Sequence, residues 1–140
     1  IACADAGIPV TVVPGVTSAI AVPALAGVPV THRGLTHEFV VVSGHLAPDH
    51  PESLVNWDAL AAMSGTIILL MAVERIEQFA QALLAGGRPA DTPVIVVQHG
   101  TTAAQRTVRA TLADVAEKVR SEGIRPPAII VIGPVAAFGS

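Results

Sequence analysis

Cysteine, aromatic residues and charge are all scarce in this chain of 140 residues. Cys3 is its only cysteine, so no intrachain disulfide can form and a disulfide-stapled scaffold is excluded. Cys3 reads instead as a small, inert apolar residue. Tyrosine is absent, and one tryptophan and three phenylalanines make up the aromatic content. Asp, Glu, Lys and Arg together supply 14% of the residues, and eight basic against eleven acidic residues leave a net charge of −3. No block of like charge stands out, which argues against nucleic acid or an anionic membrane surface as the main partner. Long apolar runs are missing as well. Mean hydropathy is +0.62, yet a run such as IILLMAV (67–73) falls far short of the ~20 residues that span a bilayer. The chain reads as soluble.

Several chemical signatures are also missing. Neither GxGxxG nor GxxxxGKS/T occurs, so dinucleotide and P-loop fingerprints are excluded. There is no GxSxG elbow. His32, His37, His45, His50 and His99 form neither HExxH nor a Cys/His cluster with zinc spacing, and no metal site is expected. They read as surface or hydrogen-bonded histidines. The first residues, IACADAG, lack Met or a basic leader, so no signal peptide is expected. They read as the last turns of a helix stopped by Gly7 and Pro9, and the expectation is a piece of a longer protein.

What is present is a hydrophobic half. Apolar residues make up 51% of the chain, enough to bury a single core and incompatible with disorder. Strand-like stretches are VTVV (10–13), EFVVVS (38–43), GTIILLM (65–71), TPVIVVQ (92–98) and PAIIVIG (127–133). QRTVRATL (105–112) alternates Thr107, Arg109 and Thr111 against Val108, Ala110 and Leu112, the pattern of a half-exposed strand. A small-residue helix is expected after Thr17 or Ser18 as cap, ending near Gly27 and interrupted or kinked at Pro23. WDALAAM (57–63) follows Asn56 as a cap, and the Pro-, Asp- and His-rich stretch before it (46–56) is a loop. Ile76, Phe79, Ala80, Leu83 and Leu84 fall at helical spacing in 74–87, with a Gly pair as the stop. DVAEKVRSEG (114–123) is amphipathic, with Asp114, Glu117, Lys118 and Arg120 on its solvated face. Strands alternating with helices predict an α/β fold with helices on both faces of the sheet. QRTVRATL does not suit a strictly parallel plan, so the sheet should be mixed.

Four segments together resemble one family. VVPGVTSAIAVPALAGVPVTHRG (12–34) is similar to the second signature of uroporphyrinogen-III C-methyltransferases. LLMAV (69–73), VVQHGTTAAQR (96–106) and PPAIIVIGPV (126–135) follow in the order and spacing of the C-terminal half of these tetrapyrrole methylases. The resemblance covers essentially residues 1–140. It implies the C-terminal domain of a two-domain α/β enzyme that binds S-adenosylmethionine in the cleft between its halves. Such enzymes methylate two pyrrole carbons of uroporphyrinogen III to give precorrin-2, the branch point to siroheme and cobalamin. A cytoplasmic homodimer is implied too. The family's Gly-rich GxGPGD-like segment and its acid/base candidates lie in the N-terminal half and are absent here, so no catalytic residue is expected in this chain. The loop HLAPDHPESLVNWDAL is longer than the family leads one to expect.

By resemblance, Thr17, Ser18, Met71, Gly100 and Ala128 fall where the family contacts the cofactor. Each has a plainer reading. Thr17 and Ser18 can simply cap a helix, Met71 and Ala128 can be core, and Gly100 can serve a turn. His32 and Arg33 belong to the family signature, and with Arg106 they are candidate contacts for uroporphyrinogen, a polycarboxylate suited to a guanidinium fork. Arg33 and Arg106 can equally brace an interface. Two other readings stay open: a precorrin methyltransferase, and a non-catalytic binding or dimerisation module.

Overall fold

A computed structural model describes residues 1–139. Among these residues five strands form one mixed sheet: β1 (Phe39–Ser43), β2 (Thr66–Leu70), β3 (Pro93–Gln98), β4 (Arg106–Thr111) and β5 (Ala128–Ile132). Their order is β1-β2-β5-β3-β4. Strand β2 pairs parallel to β1 and antiparallel to β5. Strand β3 is antiparallel to both β5 and β4. The interior strands β2, β3 and β5 are those with almost unbroken apolar runs, and nearly all their residues are buried. The edge strands β1 and β4 carry alternating patterns, because one face of an edge strand remains partly wet.

Among the described residues five helices accompany the sheet: α1 (Ala2–Asp5), α2 (Ser18–Leu25), α3 (Trp57–Ala62), α4 (Ile76–Ala85) and α5 (Val115–Ser121). Helices α3, α4 and α5 cover one face. There Trp57, Phe79, Leu83 and Val115 pack on Ile67, Leu69, Val96 and Ile130. The Trp57 and Phe79 rings stack with centroids 5.0 Å apart. Helix α2 and the 3₁₀ turn Pro134–Ala137 cover the other face, where Val22, Val28 and Val135 meet Ile95, Val97 and Val131. The α/β reading, with a mixed sheet and helices on both faces, therefore holds.

Local signals act where expected. Asn56 Oδ1 accepts the Ala59 N–H at 2.9 Å to cap α3, and Gly7 takes φ +68° beyond α1. Residues 10–13 depart from expectation. They form no strand, and Val10, Val12 and Val13 are 64%, 81% and 83% exposed. A strand needs a neighbour for its backbone groups, and no described strand lies beside this stretch. Helix α2 runs on through Pro23; the proline lies close to the helix end, so the bond it removes interrupts little. The first turn expected of the 74–87 helix is a 3₁₀ turn, Val73–Arg75. Cys3 is exposed rather than packed.

Two polar anchors complete the frame. Asp114 does more than decorate a solvated face. Its Oδ1 accepts from the Thr111 N–H at 2.6 Å and the Thr111 hydroxyl at 2.9 Å, and Lys118 Nζ lies 3.0 Å from Oδ2. The Thr111 N–H is the main reason its carboxyl sits below the usual carboxylate range. Arg88, just after the Gly86–Gly87 pair, is 5% exposed. Its guanidinium donates to the carbonyls of Leu60 (3.2 Å), Met63 (2.9 Å) and Gly65 (2.8 Å). It thereby ties α4 to the exit of α3, where unpaired helix carbonyls would otherwise be buried.

Candidate functional site

Because β1, β2 and β3 point the same way, their carboxyl ends meet at one edge of the sheet, beside the starting residues of β4 and β5. Ligands in open α/β sheets lie outside such carboxyl ends. A cavity of about 660 Å³ opens there, within the range of small-molecule sites. Its walls are mostly apolar, supplied by residues such as Val22, Leu70, Val97, Pro127 and Ile129.

Four of the five cofactor candidates reach this cavity: Ser18, Met71, Gly100 and Ala128. Met71 stands immediately after β2. It is 64% exposed while Leu69, Ala72 and Val73 around it are buried, so the core reading of Met71 does not hold. Its backbone is left-handed, φ +55°, a conformation costing a non-glycine residue about 1–2 kcal/mol. The surroundings impose it. The Gly44 N–H donates to Leu70 O at 2.7 Å, and Gly44 lies so close to Ala72 that a Cβ there would come within 2.6 Å of Ala72 Cβ. His99, immediately after β3, is left-handed too, with φ +48°. Its N–H donates to Pro127 O, and its carbonyl accepts from the Thr102 N–H and hydroxyl. Two strands thus end in strained residues at one cavity, a pattern that clusters at binding sites.

Ser18 opens α2 and faces the cavity, whereas Thr17 stays behind as the cap, its hydroxyl accepting from the Ala19 N–H at 3.3 Å. Ala128 is 8% exposed and does both things foreseen for it, joining the core and bordering the cavity. Gly100 has a reason of its own. A Cβ there would run into both Cγ atoms of Val22 on α2, so the missing side chain lets α2 close onto the turn after β3. Gly100→Ala should therefore lower unfolding free energy by about 1–3 kcal/mol through overpacking. Adding Val22→Ala should recover part of that loss, a coupling that urea unfolding of the four proteins measures.

The three substrate candidates lie away from the cavity. His32 bonds backbone to backbone with Thr36 and sets its ring 4.8 Å from that of Phe138. Arg33 is exposed in the turn between them. Arg106 Nη2 donates to Glu122 O at 2.9 Å and lies 3.6 Å from the Glu122 carboxylate, at the carboxyl end of α5, where a cation is favoured. The polar side chains the sequence reading passed over are His45, Glu74, Arg75, His99 and Thr102, all of which border the cavity. Ser43 Oγ holds His45 Nδ1 at 3.0 Å. A positional signal was available: each follows within a few residues of an apolar strand on the parallel set. Among the described residues no group of three or more His, Cys, Asp or Glu side chains is placed to hold a metal ion.

This fold has counterparts among known proteins. The S-adenosyl-L-methionine-dependent uroporphyrinogen III methyltransferase of Methanosarcina barkeri is 46% identical over 124 residues, 89% of this chain and 49% of that protein. The crystal structure of uroporphyrin-III C-methyl transferase from Thermus thermophilus, complexed with S-adenyl homocysteine, superimposes with a TM-score of 0.75 at 37% identity, covering 95% of this chain and 56% of that one. A cobalt precorrin-4 methyltransferase of cobalamin biosynthesis gives a TM-score of 0.84 at 28% identity, covering 95% of this chain and 55% of that one. The chain spans about half the length of each of these three proteins. The family model for tetrapyrrole (corrin/porphyrin) methylases matches residues 1–116, and with the strand-end cavity built from that same stretch and the last strand, the chain belongs to this family.

Proposed function

We propose that residues 1–140 are the C-terminal domain of an S-adenosylmethionine-dependent uroporphyrinogen-III C-methyltransferase, which forms precorrin-2 on the way to siroheme and cobalamin. The observation that carries the reading is the cavity at the strand ends, bordered by Ser18, Met71, Gly100 and Ala128. Its volume and its apolar wall with few polar groups suit an adenosyl ligand. When bound, S-adenosylmethionine supplies an electrophilic methyl on a positively charged sulfur.

The residues of this chain bind and orient. Met71 offers a flexible, polarizable face to the adenine. The small side chain of Ala128 and the bare backbone of Gly100 let the ligand approach the main chain closely. At the start of α2, the Ser18 hydroxyl and nearby N–H groups favour the carboxylate of the methionyl group, with Thr17 holding the turn in shape. Methyl transfer needs the acceptor carbon in line with the methyl and little covalent help from protein, so no catalytic residue is assigned within these 140 residues. The rest of the length of the relatives would supply the opposite wall of the cleft. Arg33, Arg106 and His32, all outside the cavity, would meet carboxylates of the tetrapyrrole beyond it. A homodimer is part of the reading, supported by Ile20 and Leu25 on α2, 42% and 68% exposed. So is a cytoplasmic location; no described helix is long and apolar enough to cross a membrane.

Likeness to the cobalt precorrin-4 enzyme favours a second reading, a precorrin methyltransferase with the same cofactor. The full-length protein should bind S-adenosylhomocysteine in isothermal titration and convert uroporphyrinogen III to precorrin-2. The isolated 140-residue chain should give no turnover. Precorrin-2 from the isolated chain would refute the division of labour, and methylation of precorrins alone would favour the second reading.

A further inference from the structure

The cavity has one carboxylate among its described lining residues, Glu74. It sits one residue into the 3₁₀ turn Val73–Arg75, three positions beyond Met71. That turn is closed by Arg75 N–H to Ala72 O at 3.0 Å, and Val73 anchors it in the core at 5% exposed. Glu74 is therefore carried on a fixed turn, not on a loose loop. It enters no ion pair among the described residues, although its neighbour Arg75 borders the same cavity. Glu74 also borders a smaller cavity of about 210 Å³ between α4 and α5, which Arg120 and Arg125 share. Arg120 is already engaged with Glu77, 3.4 Å away.

Met71 and Glu74, three positions apart, line the same cavity, so a nucleoside whose base rests on Met71 can present its ribose to that carboxylate. A ribose presents two adjacent hydroxyl donors, and a carboxylate presents two acceptor oxygens in a matching fork. Charge-assisted O–H···O⁻ bonds of this kind are short and roughly twice as strong as neutral ones. The same pairing of an acidic side chain with ribose recurs in other nucleotide-binding α/β folds. Of the remaining polar side chains, Arg75 only donates, and His45, His99, Ser18 and Thr102 have no such fork. Resting on the cofactor reading above, we infer that Glu74 is a specificity-determining residue of this site, accepting the 2′ and 3′ hydroxyls of the adenosyl ribose.

Isothermal titration on the full-length protein, wild type and Glu74→Gln, with S-adenosylhomocysteine and its 2′,3′-dideoxy analogue, tests this. The wild type should bind the diol ligand about 10–100-fold more tightly than the dideoxy ligand, the range expected for hydrogen bonds to a charged group. Glu74→Gln should lose about tenfold on the diol ligand and leave the dideoxy ligand unchanged. Equal loss on both ligands, as a pairing of Glu74 with Arg125 would produce, overturns the inference, and so does no loss on either. A wild-type protein that binds neither ligand overturns the cofactor reading and this inference together.

Discussion

Met71→Asp in the full-length protein is expected to weaken S-adenosylhomocysteine binding about 30–100-fold while lowering unfolding free energy by less than about 1 kcal/mol. The first part follows from desolvation. With adenine covering residue 71, an aspartate there would lose part of its water without gaining a partner, a cost of about 2–3 kcal/mol, the low end for an unpaired polar group, because the cavity stays open to solvent. Glu74 on the same wall adds like-charge repulsion. The second part follows from exposure. Met71 is 64% exposed, so little apolar contact is lost, and substitutions at such positions usually stay within about 0.5 kcal/mol. Backbone preference softens the change further, because φ +55° suits Asp better than Met. Met71→Asn separates charge from shape and should retain more affinity. Calorimetric titration beside urea unfolding reads both quantities. Unchanged affinity in a folded Met71→Asp protein would remove Met71 from the site.

The opposite profile is expected at Arg88. Arg88→Met should cost about 3–5 kcal/mol of unfolding free energy, because three carbonyls lose their donor, those of Leu60 and Gly65 in buried bonds and that of Met63 in a part-buried one. No carboxylate pairs with this guanidinium among the described residues, and burial pulls its pKa below the ordinary value. Its partners are instead carbonyl oxygens at the exit of α3, where the helix dipole favours a cation. Arg88→Lys should also destabilise the protein, by less, since an ammonium keeps the charge but cannot span three acceptors with a planar fork. Denaturant unfolding measures both variants. A loss below about 1 kcal/mol for Arg88→Met would show that the carbonyls find water or other donors.

Much of the architecture was legible because the forces that set it are local. Strands β2, β3 and β5 announce themselves as apolar, β-branched runs, and a chain buried on both faces can use little else. The alternation of Thr107 and Arg109 with Val108 and Ala110 marked β4 as half-exposed, as an edge strand is. Phe79 and Leu83 at helical spacing marked α4, and Asn56 and Gly7 act on backbone groups only a few residues away. Of the site, Ser18, Met71, Gly100 and Ala128 were legible by resemblance, and all four border one cavity.

The rest waited on contacts between distant residues. VTVV has a strand's composition, yet composition supplies no neighbour for its backbone. That β5 lies between β2 and β3 depends on pairings across most of the chain, which no window of sequence contains. Gly100 looks like a turn residue until Val22 of α2 arrives against it. Arg88 looks like a surface arginine after a Gly pair until α3 ends beside it. His45, Glu74 and His99 look like ordinary polar residues until β1, β2 and β3, which point the same way, end at one edge of the sheet and bring them to one cavity. Periodicity, caps and turns are settled within a few residues of chain, whereas burial, satisfied carbonyls and a shared cavity exist only once segments far apart in sequence have packed.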